Sequence, residues 1–387
     1  MSIMKLSPII GFIIVLLMPI WMLGQEKEHK LMLSGYVKNL HQIQFVDNLD
    51  QLQWTTLVHN RLNFAYAPSK SITMRLEFRN RIFYGDTVSN IPRFSDLMGM
   101  DNGWVDLTWN LGESEHMLFT STIDRASIKY SKGDWDITVG RQRVNWGRNL
   151  IWNPNDIFNT YNFLDFDYEE RPGSDAIRIQ YYTGGFSKVE LAAKKGRLKD
   201  DHIIALLYGF NKWSYDFQLI GGIYQNDWVM GTGWSGNLKN MGFKGEVSYF
   251  VPRKDYMEPN NIWSASISLD YGFKNGLYLY GSALYNESAS DFEGGVENLT
   301  LSEITAKDLM PFEFSSYLQL VKEFSPILSA SFGAVYSPTN HSVIAIPTFT
   351  YSLATNWEMD LISQSFFEFE KYRSLGHNIF FRIRWSF

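Results

Sequence analysis

The chain contains no cysteine. Disulfide stapling, thiolate catalysis and cysteine-based zinc sites are excluded outright. Long apolar runs are almost as scarce. A helical membrane protein needs several uninterrupted stretches of about 20 residues, and only the N-terminus has one. A basic excess is missing too: 35 Lys and Arg stand against 41 Asp and Glu, a formal charge of −6. That balance leaves no electrostatic footprint for nucleic acid. His29, His41, His59, His116, His202, His341 and His377 never fall at the i, i+4 or His-x-His spacing of a metal site. Gly231-Thr232-Gly233-Trp234-Ser235-Gly236 only imitates a dinucleotide fingerprint, because no helix or parallel-strand pattern surrounds it. Glycines within a strand make room for bulky neighbours or bends instead. A hydrolase would need a Ser and a His placed together, and nothing in the spacing marks such a pair. No cofactor, no metal and no enzymatic activity are expected.

The one apolar run has the anatomy of an export signal. A short head carrying Lys5 is followed by an apolar body from Leu6 to Leu23, then by the small Gly24 and the polar Gln25, Glu26 and Lys27. Those are the three regions of a signal peptide in order. Pro8, Gly11 and Pro19 weaken a retained anchor helix, and Gln25 where a lipoprotein has cysteine removes a lipid anchor. The expected division is a cleaved segment 1–24 and a mature chain 25–387, whose formal charge, with Lys5 gone, moves from −6 to −7.

What the mature chain has in abundance is aromatic residues and alternation. Thirteen Trp, 21 Tyr and 28 Phe exceed the needs of a soluble core of this size. Trp263, Ala265, Ile267, Leu269 and Tyr271 interleave with Ser264, Ser266, Ser268 and Asp270. Ile72, Met74, Leu76 and Phe78 alternate with Thr73, Arg75, Glu77 and Arg79, and Ile379, Phe381, Ile383, Trp385 and Phe387 with Phe380, Arg382, Arg384 and Ser386. Period two is the signature of a strand with one wet and one greasy face. Long charged side chains on the wet face, Arg75, Arg79, Arg178, Lys188, Glu190, Lys194, Arg382 and Arg384 among them, suit a water-filled lumen, with the aromatics on the lipid side.

Turn residues divide the chain into about 18 strands, an even number, as bacterial single-chain barrels require. Tight turns near 68–70, 132–134, 184–185, 239–240 and 274–276 fall on one side, and long connections near 86–116, 147–173, 251–261 and 287–311 on the other. The predicted fold is all-β, a transmembrane antiparallel up-and-down β-barrel with short periplasmic turns and long outer loops. Lipid offers backbone groups no partner, so the sheet must close. Trp104 to Leu111 also alternates, but counting it spoils the parity, and it is assigned to a folded outer loop.

The densest local signal runs from Ile123-Asp124-Arg125 through Gly140-Arg141-Gln142-Arg143-Val144-Asn145-Trp146-Gly147 to Trp152-Asn153-Pro154-Asn155-Asp156. Arg141, Arg143 and Arg148 close one strand, and the following loop supplies Asp156, Asp165, Asp167, Glu169, Glu170 and Arg171. Folded inward, these charges would face one another across the channel and sort solutes by charge and dipole. The blander reading is that they form ion pairs holding the loop in place. Asp165, Asp167 and Glu169 offer carboxylates to a calcium ion but lack the Gly-centred 12-residue loop of an EF-hand.

The G-R-Q, W-G and N-P-x-D motifs in this stretch, with Asp165 to Ala176 after them, resemble porin-like outer-membrane barrels of Bacteroidota and Proteobacteria related to alginate-export-type channels. The likeness covers roughly residues 120–250. It implies a channel in the outer membrane of a Gram-negative bacterium, for small polar or anionic solutes. The alternative is a barrel that exports or anchors a surface polysaccharide, for which an Arg-lined lumen would suit acidic saccharides. The closing Trp385 and Phe387 resemble the signal read by the barrel-assembly machinery. Porin-type barrels are often trimers, so a homotrimer is one state open to this chain.

Overall fold

The computed structural model describes residues 30–46, 52–165, 170, 173–198, 200–253, 260–289, 304–369 and 373–387. The predicted signal segment 1–24 lies outside them. The strands are β1 (Leu31–Phe45), β2 (Gln53–Ser69), β3 (Ile72–Gly85), β4 (Thr108–Ser114), β5 (Met117–Lys132), β6 (Trp135–Gln142) and β7 (Ser174–Gly184). They continue as β8 (Ser187–Lys195), β9 (His202–Lys212), β10 (Tyr215–Tyr224), β11 (Asp227–Leu238), β12 (Met241–Pro252) and β13 (Ile262–Gly272). The last six are β14 (Leu277–Asn286), β15 (Phe314–Ser325), β16 (Leu328–Ser337), β17 (Ser342–Ala354), β18 (Trp357–Glu368) and β19 (Arg373–Ser386). All pairings are antiparallel, and β19 returns to pair with β1, so the sheet closes on itself. Gly35 and Phe387 exchange both backbone hydrogen bonds at 2.9 and 3.0 Å and seal that seam. No described helix is long and apolar enough to cross a membrane; the crossing is made by strands.

The alternation read from sequence sets the two faces. On β13, Trp263, Ile267 and Leu269 are 45, 44 and 41% exposed, whereas Ser264, Ser266 and Ser268 are 0, 5 and 2% exposed. Apolar side chains outside and polar ones inside is the reverse of a soluble core, and only a lipid surround makes it favourable. Phe381 of β19 and Phe387 just beyond it are exposed while Phe380 is buried. The outer face also explains Gly245, which leaves room for the Trp234 ring lying over it from the paired strand.

The parity conflict at Trp104 to Leu111 has a specific resolution and corrects the loop assignment. The wall has 18 positions, and one is shared. β6 pairs with β5 only from Lys132↔Trp135 to Ala126↔Arg141. Beyond that height the same flank of β5 is taken by β4, from Thr108↔Thr122 to Ser114↔Met117, while β3 holds the other flank throughout. β6 is the turn-side half of one wall strand and β4 its loop-side half. Thr108 to Leu111 therefore belongs to the wall, and the alternation there was real.

Stopping β6 at Gln142 frees the chain to turn into the barrel. Residues 143–165 run inside it and build two apolar clusters toward the loop end. One gathers Trp152 and Leu164 with Phe94, Leu309, Met310 and Phe312 from other loops against Leu40, Leu57, Phe83, Tyr280, Tyr317 and Phe366 of the wall. The other packs Val144, Trp146, Ile157 and Phe158 against Ala192, Ala205, Leu207, Val229 and Phe250. A barrel this wide cannot fill its bore with wall side chains alone, and the inserted segment supplies the missing core.

Candidate pore and its constriction

Where β6 leaves the wall, Arg141 fills the gap. Its guanidinium donates to Asp101 Oδ2 at 2.6 Å, to Asp175 Oδ1 at 2.8 Å and to the carbonyls of Val105 and Ile123 at 2.5 and 3.2 Å. One planar donor fork thus ties β6, β7, β5 and the approach to β4 together, a geometry that Arg and not Lys supplies. A Cβ on Gly103 would collide with this guanidinium, which is why that position is glycine. Neither Asp101 nor Asp175 was singled out in the sequence, since their separation from Arg141 by 40 and 34 residues leaves no local signal.

The inserted segment is anchored along its length. The Trp146 indole donates to Glu190 Oε1 at 2.7 Å, and Arg148 Nε to Gln218 Oε1 at 2.8 Å. Asn149 donates to Ser266 at 2.5 Å and accepts from Ser268 at 2.7 Å. Asn155 donates to the Thr232 carbonyl at 2.9 Å and accepts from Ser248 at 2.8 Å. Gly231 and Gly233 face that contact: a Cβ on either would lie 2.8 or 2.9 Å from the Asn155 amide. The glycine-rich run of β11 thus makes room for the loop. On the far side of the bore Gln364 of β18 donates to the Leu164 carbonyl at 2.9 Å. Glu170 accepts from the Tyr36 hydroxyl at 2.9 Å and lies 3.7 Å from Arg61.

Charged groups ring the remaining space. Arg61, 1% exposed, donates to Asp124 at 2.5 Å and to Glu77 at 2.6 Å. Asp124 is presented there because it is the extra residue at a bulge, where the β3–β5 register jumps between Glu77↔Arg125 and Phe78↔Ile123. Arg384, Lys38, His59 and Arg81 are successive register partners across β19, β1, β2 and β3, forming a lateral row of cationic residue types. Toward the turn end Glu190 accepts from Arg178 at 2.5 Å and Lys188 at 2.8 Å. Arg382 pairs with Asp360 at 2.9 Å, and Arg384 with Glu358 at 3.2 Å. On the loop side a cavity of about 1110 Å³ is lined by Arg79, Arg81, Asp101, Asp124, Arg141, Asp165, Lys194 and Arg197, among others.

The predicted lumen residues therefore separate. Arg79, Arg141 and Asp165 line the cavity, Arg178, Arg382 and Arg384 pair with wall carboxylates, and Arg75 is exposed near the turn end of β3. Arg143 and Arg148 are half-buried in the inserted segment and Asp156 is buried in it. Asp167, Glu169 and Arg171 lie outside the described residues. Arg141 faces Asp101 and Asp175 rather than the acids of its own loop. Among the described residues no group of three or more His, Cys, Asp or Glu is placed to hold a metal. The Trp385 and Phe387 rings lie 5.2 Å apart, tilted by 41°, at the closing seam. The sequence reading missed Arg61, Arg81, Lys38 and Glu246, although the first three sit on inward positions of alternating strands and were accessible to the same periodicity.

Outside the wall, Asp308 lies in the loop between β14 and β15. Burial pushes its carboxyl above the ordinary range, tempered by a 3.1 Å hydrogen bond from Asn286.

No protein-family model matches the sequence, and no curated protein matches it. Solved structures do. OpdQ of Pseudomonas aeruginosa superposes with a TM-score of 0.58 at 7% identity, covering 93% of this chain and 99% of that one. A BenF-like porin of Pseudomonas fluorescens Pf-5 gives 0.56 at 10% identity over 93 and 99%. OpdK of Pseudomonas aeruginosa with vanillate gives 0.54 at 10% identity over 92 and 98%. At such identities the likeness is one of fold: this chain has the closed β-barrel fold of these porins.

Proposed function

We propose that the chain is an outer-membrane channel, not an enzyme, through which small polar solutes, anions among them, diffuse. The observation that carries this reading is the inserted segment 143–165, which narrows a polar bore without replacing its charged lining. Arg79, Arg81, Lys194 and Arg197, which line the loop-side cavity, favour the entry of anions. That one of the similar barrels, OpdK, was solved with vanillate accords with a small-solute channel. A bore crossed by a docked segment suits small solutes better than a polysaccharide chain. We also propose kinship with the alginate-export-type porin-like barrels. In support, the Gly140-Arg141-Gln142, Trp146-Gly147 and Asn153-Pro154-Asn155-Asp156 motifs make one device, the wall gap with its inserted anchor. Cleavage after Gly24, assembly through the Trp385 and Phe387 end and a homotrimeric state belong to the same reading. Purified mature protein in planar bilayers should conduct ions with anion preference. Folded protein that leaves the membranes silent overturns the channel.

A further inference from the structure

Glu246 is completely buried on the inner face of β12. Such a carboxylate is costly unless it is paired or hydrogen-bonded. Its partners come from the backbone of the inserted segment. Oε1 accepts the N–H groups of Arg148 and Asn149, the latter at 2.7 Å, and Oε2 accepts that of Asn155 at 2.9 Å. Three converging backbone donors are the geometry of an anion-binding nest. Here the nest is built by the segment itself and filled by a wall side chain. The neighbouring anchors, Ser248, Ser266 and Ser268, are neutral hydroxyls, worth about half a charge-assisted bond each.

We infer that Glu246 is the latch that holds the inserted segment across the bore and so sets the width of the channel. This rests on the channel reading above. The latch requires two oxygens that both accept. In Glu246→Gln one oxygen becomes an NH2 group, which confronts at least one of the three N–H donors with another donor. In Glu246→Asp the side chain is one methylene shorter and cannot seat all three. Freed of the nest, the segment loses its grip on β10 to β13 and the bore widens.

The test compares single-channel conductance and the size of the largest permeating neutral sugar for wild type, Glu246→Gln and Glu246→Asp, with folding read from heat-modifiable mobility on gels. Because conduction follows pore diameter, Glu246→Gln should conduct about twofold more than wild type and Glu246→Asp should be intermediate. The chain has no native cysteine, so Asn149→Cys with Ser266→Cys gives a unique thiol pair across the contact. Joining the pair by a short bifunctional reagent in the Glu246→Gln background should restore wild-type conductance. Folded variants that conduct as wild type does, or an opening that survives the cross-link, overturn the latch alone. A silent wild type overturns the channel reading and the latch with it.

Discussion

Arg141 lies 2.6 Å from Asp101 at the point where β6 ends and β4 takes over its place in the wall. The pair is buried on both sides, and Asp175 completes it at 2.8 Å. It is the joint of a wall strand made from two separate pieces of chain.

Removing the cation at this joint should be severe. Arg141→Ala leaves two buried carboxylates facing each other, and uncompensated buried charge costs about 3–5 kcal/mol. Arg141→Lys should recover only part, because an ammonium cannot serve two carboxylates and two carbonyls in a plane. Urea unfolding of the barrel in detergent or lipid measures both. Wild-type stability in the Ala variant would remove the joint from the fold's energetics.

Arg61 governs a second site. Its guanidinium offsets Asp124, Glu77 and Glu170 at the narrowed bore. Arg61→Gln should turn that region acidic and shift the reversal potential toward cations in a salt gradient. An unchanged reversal potential would show that current bypasses this cluster.

Ile267 faces lipid and Ser268, its neighbour in sequence, faces the bore. Ile267→Arg should destabilise the inserted barrel by about 2–4 kcal/mol if it lies near the bilayer midplane, with less near an interface. Conductance should be unaffected. Unfolding in bilayers of graded thickness locates its depth.

Asp308 supplies a pH dependence whose sign follows from burial. Its folded pKa is raised, so the native state holds the proton more tightly than the unfolded chain. The resulting stability is fully present below the unfolded value and is lost as pH rises through the folded one. Asp308→Asn mimics the protonated form and keeps an acceptor for Asn286. Its melting point should exceed that of wild type increasingly as pH climbs through the carboxylate range, and a difference that does not change with pH would contradict this.

Much of this architecture is legible residue by residue. The β13 alternation assigns Trp263 to lipid and Ser264 to the bore without a structure, because strand periodicity is local. The turn-and-loop asymmetry is equally local, carried by Gly133, Gly185 and Gly276 in the tight turns. The stretch from Gly140 to Asp156 is the densest local signal in the sequence, yet its partners are not readable there. Glu246 lies 91 residues from Asn155, and Gln364 lies 200 from Leu164. The alternation in Trp104 to Leu111 is visible in the sequence, but parity assigns it to a loop, because a sequence cannot show that two segments share one place in a wall.

Sequence by itself determined the closed, inside-out barrel: hydrogen-bond closure in lipid and a two-residue period leave no other arrangement for such a chain. The tertiary structure alone decided that residues 143–165 turn inward and that Arg141 pairs with Asp101 and Asp175. It alone gave Glu246 three backbone donors. Those outcomes depend on which side chains meet across the bore, and chain separation carries no information about distance once the sheet has closed.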